Sequence, residues 1–261
     1  MDLGLKEKVI LVTGGGAGIG EGISRACLAE GARVVVLSRR SENVQHFLAE
    51  MESAGATCSL VEVHLEDTDR CREAIAEVEQ RFGAIDGLVN NAGVNDGVGL
   101  ASGSVERFVE SLQKNLIHYY ALAHYALPAL QRSQGSIVNI SSKVAITGQG
   151  NTSGYAASKG AQLALTREWA AELLPHNIRV NAVLPAEVMT PLYRRWLNTL
   201  GDPDAKLKEI TAKIPLGRRM TLASEIAAAV VFLLSPTQSG HTTGQHLIVD
   251  GGYVHLDRAL T

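Results

Sequence analysis

The chain has 261 residues, 46% of them hydrophobic and 20% charged, with a net charge of -3. Such a composition supplies a large buried core and argues against disorder. No basic excess points to nucleic acid or to an anionic membrane surface. Three cysteines, Cys27, Cys58 and Cys71, match neither a zinc knuckle nor a redox pair and read as free thiols of a reducing compartment. Residues 1–8 lack the basic start and apolar stretch of a secretory leader, so a cytoplasmic location is expected.

In chain order, short β-branched runs alternate with amphipathic stretches. A strand at residues 9–12 leads into a glycine cluster and a helix at 19–30. A strand at 34–37, a helix at 44–54, a strand at 59–63 and a helix at 70–82 follow. A fourth strand at 87–90 precedes one long helix at 105–130. Then come a strand at 136–140, a helix at 155–174, a strand at 178–183 and a last strand at 247–249. The longest apolar run, residues 226–234, is far short of the ~20 residues needed to span a bilayer.

Strands that are apolar throughout are buried on both faces, and strict alternation with helices implies parallel pairing. The expected fold is therefore α/β: a doubly wound, Rossmann-like, parallel seven-stranded sheet with helices on both faces, in a single domain covering 1–261. Residues 189–215 break the rhythm with Pro191, Pro203 and Pro215 and carry Tyr193 and Trp196. They follow the sixth strand, at the edge where open α/β sheets bind ligands. They read either as a substrate lid or as a surface helical pair.

Thr13-Gly14-Gly15-Gly16-Ala17-Gly18-Ile19-Gly20 lies between the first strand and a helix. The spacing is TGxxxGxG rather than GxGxxG, but the physics is the same. Glycines at 14, 18 and 20 permit the turn and let the backbone approach a pyrophosphate at the positive end of the helix. The second strand ends in Ser38-Arg39-Arg40. An acidic residue there would grip the ribose hydroxyl of NAD. Ser38 removes that charge, and Arg39 and Arg40 can bond a 2′-phosphate. NADP(H) is favoured, with NAD(H) also open.

Tyr155 and Lys159 stand one helical turn apart and project into the same space. A free phenol has a pKa of about 10, too high for a base near neutrality. An adjacent ammonium, together with the positive nicotinamide of an oxidised coenzyme, favours phenolate, and a shift of ~2–3 units, roughly 3–4 kcal/mol, would poise Tyr155 as a base. Ser142, at the end of the fifth strand, faces the same cleft and can bond the reacting oxygen.

These residues together resemble the short-chain dehydrogenase/reductase family across nearly the whole chain. Thr13 to Gly20 resembles its coenzyme loop, including Ile19. Asn90-Asn91-Ala92-Gly93 resembles its NNAG element, and Asn115, Ser142, Tyr155 and Lys159 its catalytic tetrad. Pro185 to Thr190 resembles the segment over the nicotinamide, and Asp250-Gly251-Gly252 the usual end. The resemblance implies that Tyr155 exchanges a proton with the substrate oxygen and that Ser142 positions that oxygen. It implies that Lys159 holds the nicotinamide ribose and that Asn115 supports a water linked to Lys159. Asn91, Ala92, Gly93, Val188 and Thr190 would line the coenzyme. Three departures stand out: His64-Leu65 replaces the usual acidic pair, leaving Leu65 backbone contacts to adenine; Ser38 is not acidic; and Ala186 follows Pro185 in place of glycine.

Asn95, Gln149 and Glu187 offer polar groups that suit a polyhydroxylated substrate. Asp96 and Asn151 read instead as residues bonding within their own loops. Residues 91–97, 115–120, 148–151 and 185–193 resemble the L-fucose dehydrogenases of bacteria within that family. The implied reaction is oxidation of an aldose at its anomeric carbon to a lactone. Two alternatives remain open: a reductase of 3-oxoacyl thioesters or other ketones, and a non-catalytic NADP(H)-binding regulator. His118 and His124 do not share a helix face, so no metal site is expected. By family analogy the chain is expected to form a homotetramer, with a small-molecule sugar as substrate and neither nucleic acid nor membrane as partner.

Overall fold

A computed structural model describes residues 1–256. Apolar runs with no wet side become strands: β1 (Val9–Thr13), β2 (Arg33–Ser38), β3 (Cys58–Glu62), β4 (Gly87–Asn90), β5 (Ser136–Ile140), β6 (Arg179–Pro185) and β7 (His246–Val249). Every residue of β1, β4 and β5 is buried, as central parallel strands require. The order is β3-β2-β1-β4-β5-β6-β7, and all pairings are parallel. The seven-stranded, doubly wound sheet expected from the sequence is the sheet observed.

Two apolar layers flank it. On one face, α3 (Thr68–Phe82), α5 (His118–Ser133) and α6 (Ser153–Glu172) contribute Val78, Leu122 and Trp169. On the other, α1 (Gly18–Ala29), α2 (Glu42–Ser53) and α9 (Ala223–Leu234) contribute Ile23, Phe47 and Val230. α9 contains the apolar run that the sequence pattern left without an assigned element. Its close approach to α1 depends on Gly22, where a Cβ would lie 3.0 Å from the Ala223 Cβ. No helix among the described residues is long and apolar enough to cross a membrane.

The long helix expected at 105–130 is interrupted. α4 (Val105–Leu112) passes into a π turn at Gln113–Ile117 before α5 begins. A π turn adds a residue to the helical repeat and re-aims the side chains on it; here it carries Asn115. Residues 189–215 form two short helices, α7 (Pro191–Leu197) and α8 (Pro203–Ala212), each begun by a proline whose fixed φ suits the first helical position.

The winding of the sheet reverses about β1: β2 lies on one side and β4 on the other, every strand running the same way. A crevice therefore opens beyond the carboxyl ends of these strands, the usual ligand position in such sheets.

Candidate active site

The glycine loop sits at the mouth of that crevice. Gly14 and Gly18 have φ of +63° and +58°, a left-handed conformation that side-chained residues adopt only with strain. A Cβ on Gly20 would lie 2.3 Å from the Gly14 carbonyl oxygen and 2.6 Å from Asn91 Nδ2. The N-cap of α1 is Ala17, which makes no side-chain cap. The first-turn N–H groups at Gly18, Ile19 and Gly20 thus face the crevice without a capping side chain, as an anion-binding helix start requires. The residues present fit a dinucleotide.

Thr13, which sequence reasoning did not single out, ties the two strand ends together. Its Oγ1 accepts from the backbone N–H groups of Asn91 (2.8 Å) and Ala92 (2.9 Å), while Asn91 Nδ2 donates to the Thr13 carbonyl at 2.8 Å. The Asn91 amide is thereby committed to Thr13, leaving the backbone at 91–93 to line the crevice.

At the end of β2, Ser38 is half-buried and Arg39 and Arg40 are exposed. Arg40 Nε meets Glu62 Oε2 at 3.1 Å, on neighbouring β3. Of the two arginines, Arg39 is the one with no ion-pair partner among the described residues. Leu65 is half-buried, packed against the core below this corner.

The catalytic candidates converge from three directions. Asn115 Oδ1 accepts from the Val94 N–H at 2.7 Å, and its Nδ2 donates to the Ser111 carbonyl at 2.9 Å. A Cβ on Gly93 would stand 2.9 Å from Asn115 Oδ1 and 3.7 Å from Lys159 Nζ, so the NNAG backbone, Asn115 and Lys159 share one wall. Lys159 Nζ lies 5.4 Å from the Tyr155 ring centroid. Ser142 stands near enough to the Tyr155 phenol to favour its ionised form, and the Val144 N–H donates to Ser142 Oγ at 3.4 Å.

Burial dominates the electrostatics of the chain's own groups. Burial pushes the Tyr155 phenol up to about 12, against a smaller opposing effect of Ser142. Burial likewise brings the Lys159 ammonium down to about 7. Desolvation disfavours the charged form of each group, so Lys159 is not a full positive charge at neutral pH and cannot alone depress its neighbour. His118, packed beside them, is held down at about 4, chiefly by burial, with Lys159 adding a smaller push.

The Asn115 carbonyl accepts from Gln162 Nε2 at 2.7 Å. Gln162 had not been singled out, although its place three residues after Lys159 puts both on one helix face.

Glu187 reaches the same cleft with its carboxylate already engaged. Lys143 Nζ pairs with Oε1, and the Tyr193 hydroxyl donates to Oε2 at 2.7 Å. The Lys143 ammonium also stands 4.1 Å from the Tyr253 ring centroid. Burial, then the Glu187 charge, push the Tyr193 phenol up. This cluster joins the Ser142 corner, the loop after β6 and the first turns of α7. Thr190 closes the circle: its side chain would lie 3.3 Å from a Cβ on Gly18. Val188 packs its side chain in the core, leaving only its backbone toward the cleft.

Two candidates are not drawn into the cluster. Asn95 is exposed and accepts from the Gly97 N–H of its own loop at 3.3 Å. Gln149 is exposed and makes no side-chain hydrogen bond among the described residues. Asp96, expected to bond within its loop, accepts instead from the Ser111 hydroxyl at 2.9 Å. Asp250 is a terminal-turn residue, accepting from the N–H groups of Gly252 (2.7 Å) and Val254 (2.8 Å).

A family model described as Enoyl-(Acyl carrier protein) reductase matches residues 14–254. The chain belongs to the short-chain dehydrogenase/reductase family. It is similar to the L-fucose dehydrogenase of Bos taurus, 38% identical over 246 residues, which cover 94% of this chain and 88% of that one. It is also similar to the 3-oxoacyl-[acyl-carrier-protein] reductase of Thermotoga maritima, 34% identical over 96% of this chain and 99% of that one. Among solved structures, the short-chain dehydrogenase fold recurs in the Cj0485 dehydrogenase, with a TM-score of 0.94 and 45% identity, covering 100% of this chain and 99% of that one. As a member of this family, the chain is an NAD(P)(H)-dependent oxidoreductase.

Proposed function

We propose that this short-chain dehydrogenase oxidises the anomeric carbon of an aldose, L-fucose or a sugar of related stereochemistry, to its lactone. The reading rests on one arrangement: a buried Tyr155 phenol whose ionised form Ser142 favours, with Lys159 Nζ 5.4 Å from its ring centroid. The sugar is supported by the similarity to L-fucose dehydrogenase along 94% of the chain. It is further supported by the polar cluster of Lys143, Glu187 and Tyr193 beside the cleft; Asn95 and Gln149 are exposed and, among the described residues, unengaged by other elements, and would join the site only on closing over a sugar. Hydroxyls of a bound pyranose give such groups partners that an acyl chain would not.

In this scheme Ser142 holds the C1 oxygen and Tyr155 accepts the proton of the anomeric hydroxyl. The C1–O bond becomes a carbonyl as C1 loses its hydrogen. Bound coenzyme supplies the hydride acceptor, and its charge in the oxidised form offsets the cost of a buried phenolate. Gly14, Gly18, Ile19 and Gly20 would hold the pyrophosphate. Ser38, Arg39 and Arg40 would hold a 2′-phosphate, so NADP+ is favoured over NAD+. Leu65 would meet the adenine; Asn91, Ala92, Gly93, Val188 and Thr190 would flank the nicotinamide half, and Lys159 its ribose. Residues 189–215 act as the lid, latched through Tyr193 and Glu187. The working form is a homotetramer.

The competing reading is a 3-oxoacyl reductase, favoured by the similarity to the Thermotoga maritima enzyme. A panel of aldoses with NADP+ or NAD+, followed by the appearance of reduced nicotinamide, separates the two. Turnover of L-fucose, L-galactose or D-arabinose is expected. Turnover of none of them, alongside NADPH consumption with a 3-oxoacyl thioester, would replace the sugar reading.

A further inference from the structure

Lys159 is 2% exposed, and an ammonium has three protons to place. All three find protein acceptors: the Ile140 carbonyl at 2.8 Å, Gln162 Oε1 at 3.3 Å and the Tyr119 hydroxyl at 3.4 Å. The Tyr119 hydroxyl itself donates to the Ile140 carbonyl at 3.0 Å. Gln162 is fully buried, and its amide is used at both ends, since Nε2 donates to the Asn115 carbonyl at 2.7 Å. That donor fixes the amide's orientation: turned over, Oε1 would face a carbonyl and the NH2 group an ammonium. A second chain of bonds holds the Gln162 backbone. Its carbonyl accepts from Thr166 Oγ1 at 2.7 Å; Thr166 accepts from Asn139 Nδ2 at 2.9 Å; and Asn139 accepts from Asn90 Nδ2 at 3.1 Å. Gln162 is thus anchored to two strands of the sheet and to the π turn, and it presents one oxygen to Lys159.

We propose that Gln162 is a positioning residue for the Tyr155 reaction: its Oε1 favours the charged form of Lys159 and holds it beneath the phenol, while its Nε2 ties Lys159 to the π turn that carries Asn115. The physical need is clear from the site. Burial works against the Lys159 charge, and an acceptor within hydrogen-bond reach works for it. The titratable groups facing Lys159 are Tyr155 from its own helix and Tyr119 and His118 from α5. Both tyrosines are neutral at pH 7, because burial raises Tyr155 to about 12 and Tyr119 well above its ordinary value. His118 is neutral there because burial lowers it to about 4. No carboxylate stands in that set, so the side-chain dipoles on which the lysine charge leans are the Gln162 amide and the Tyr119 hydroxyl. An amide has no titratable proton near neutrality, so Gln162 orients and charges Lys159 without relaying a proton.

The test compares Gln162→Met, similar in length but without an acceptor, with Gln162→Glu, which keeps one in either protonation state. The Lys159 titration is read directly by NMR on full-length chain carrying lysine labelled with 13C at Cε, the resonance being assigned through Lys159→Met. This measurement needs neither substrate nor coenzyme, so its outcome is independent of the sugar reading. The Lys159 midpoint is expected to fall by about one pH unit in Gln162→Met and not to fall in Gln162→Glu. Where the aldose reaction proceeds, kcat should fall several-fold in Gln162→Met near the wild-type Lys159 midpoint, where the charged fraction of Lys159 drops, and not in Gln162→Glu, with the sugar KM within about twofold. A Lys159 midpoint unchanged in Gln162→Met, or kcat lowered equally at all pH in both variants, would assign Gln162 a packing role only. If Gln162→Met does not fold, a midpoint that falls in Gln162→Glu overturns the proposal, and one held or raised supports it. Failure of the wild-type chain to oxidise any aldose, with the NMR shift intact, would overturn the sugar reading and leave Gln162 in its role.

Discussion

Replacing Lys159 by Met tests whether burial dominates at the centre of the site. Burial moves the ammonium from its ordinary value to about 7, a differential of roughly 5 kcal/mol between its two protonation states. The folded-state pKa is depressed, so between about pH 7 and the ordinary lysine value the unfolded chain binds the proton that the folded chain has released. Stability contributed by this group therefore rises with pH across that window, at about 1.4 kcal/mol per unit. Urea unfolding of wild type and Lys159→Met at pH 7, 8 and 9 isolates the contribution. His118 titrates below the window, and the buried thiols Cys27, Cys58 and Cys71, pushed up to about 12, 12 and 11 by desolvation, are common to both proteins and cancel. The wild-type stability minus that of the variant should grow by about 2 kcal/mol from pH 7 to pH 9, because the slope is only half developed at the folded-state midpoint. A difference independent of pH would show that Lys159 keeps an ordinary pKa and that the desolvation argument is wrong.

Gly20→Ala would place a Cβ against the Gly14 carbonyl and Asn91 Nδ2, and NADP+ binding by calorimetry should weaken more than tenfold; unchanged affinity would remove the loop from the coenzyme site. Arg39→Asp places a carboxylate where a 2′-phosphate would sit, and the ratio of kcat/KM with NADP+ to that with NAD+ should fall at least tenfold; a constant ratio would contradict the assignment. Glu187→Ala leaves the buried Lys143 ammonium without its carboxylate and should cost about 3 kcal/mol of stability. A loss below about 1 kcal/mol in urea unfolding would mean that the pair contributes little.

The sheet was legible because central parallel strands must be apolar on both faces, and the runs ending at Val12, Leu37 and Ile140 have no other use. The helix α9 was not legible for the same reason inverted: Ile226, Ala227, Val230, Val231, Leu233 and Leu234 are all buried, so the run lacks the polar face that reveals a helical period. The π turn left no trace in residues 113–117, because helical propensity does not distinguish it from the α-helix on either side. Tyr155 and Lys159 were readable from spacing alone, since one helical turn fixes their common face. The pairing of Lys143 with Glu187 was not, because it joins segments 44 residues apart and depends on where β5 and β6 end. The burial that raises the Tyr155 phenol was not legible, because charge proximity is visible in a sequence and depth of burial is not. Gln162 was within reach of the same helix-face reasoning, but its second partner, the Asn115 carbonyl, depends on the π turn.

The central claim is that this short-chain dehydrogenase takes the proton of a sugar's anomeric hydroxyl on Tyr155. Initial rates of NADPH formation from L-fucose and NADP+, for wild type and Tyr155→Phe at the same pH, test it most directly. Turnover by wild type with a loss of about 10²–10⁴-fold in kcat, at unchanged coenzyme affinity, is the predicted result. A Tyr155→Phe chain that oxidises L-fucose at the wild-type rate would contradict it.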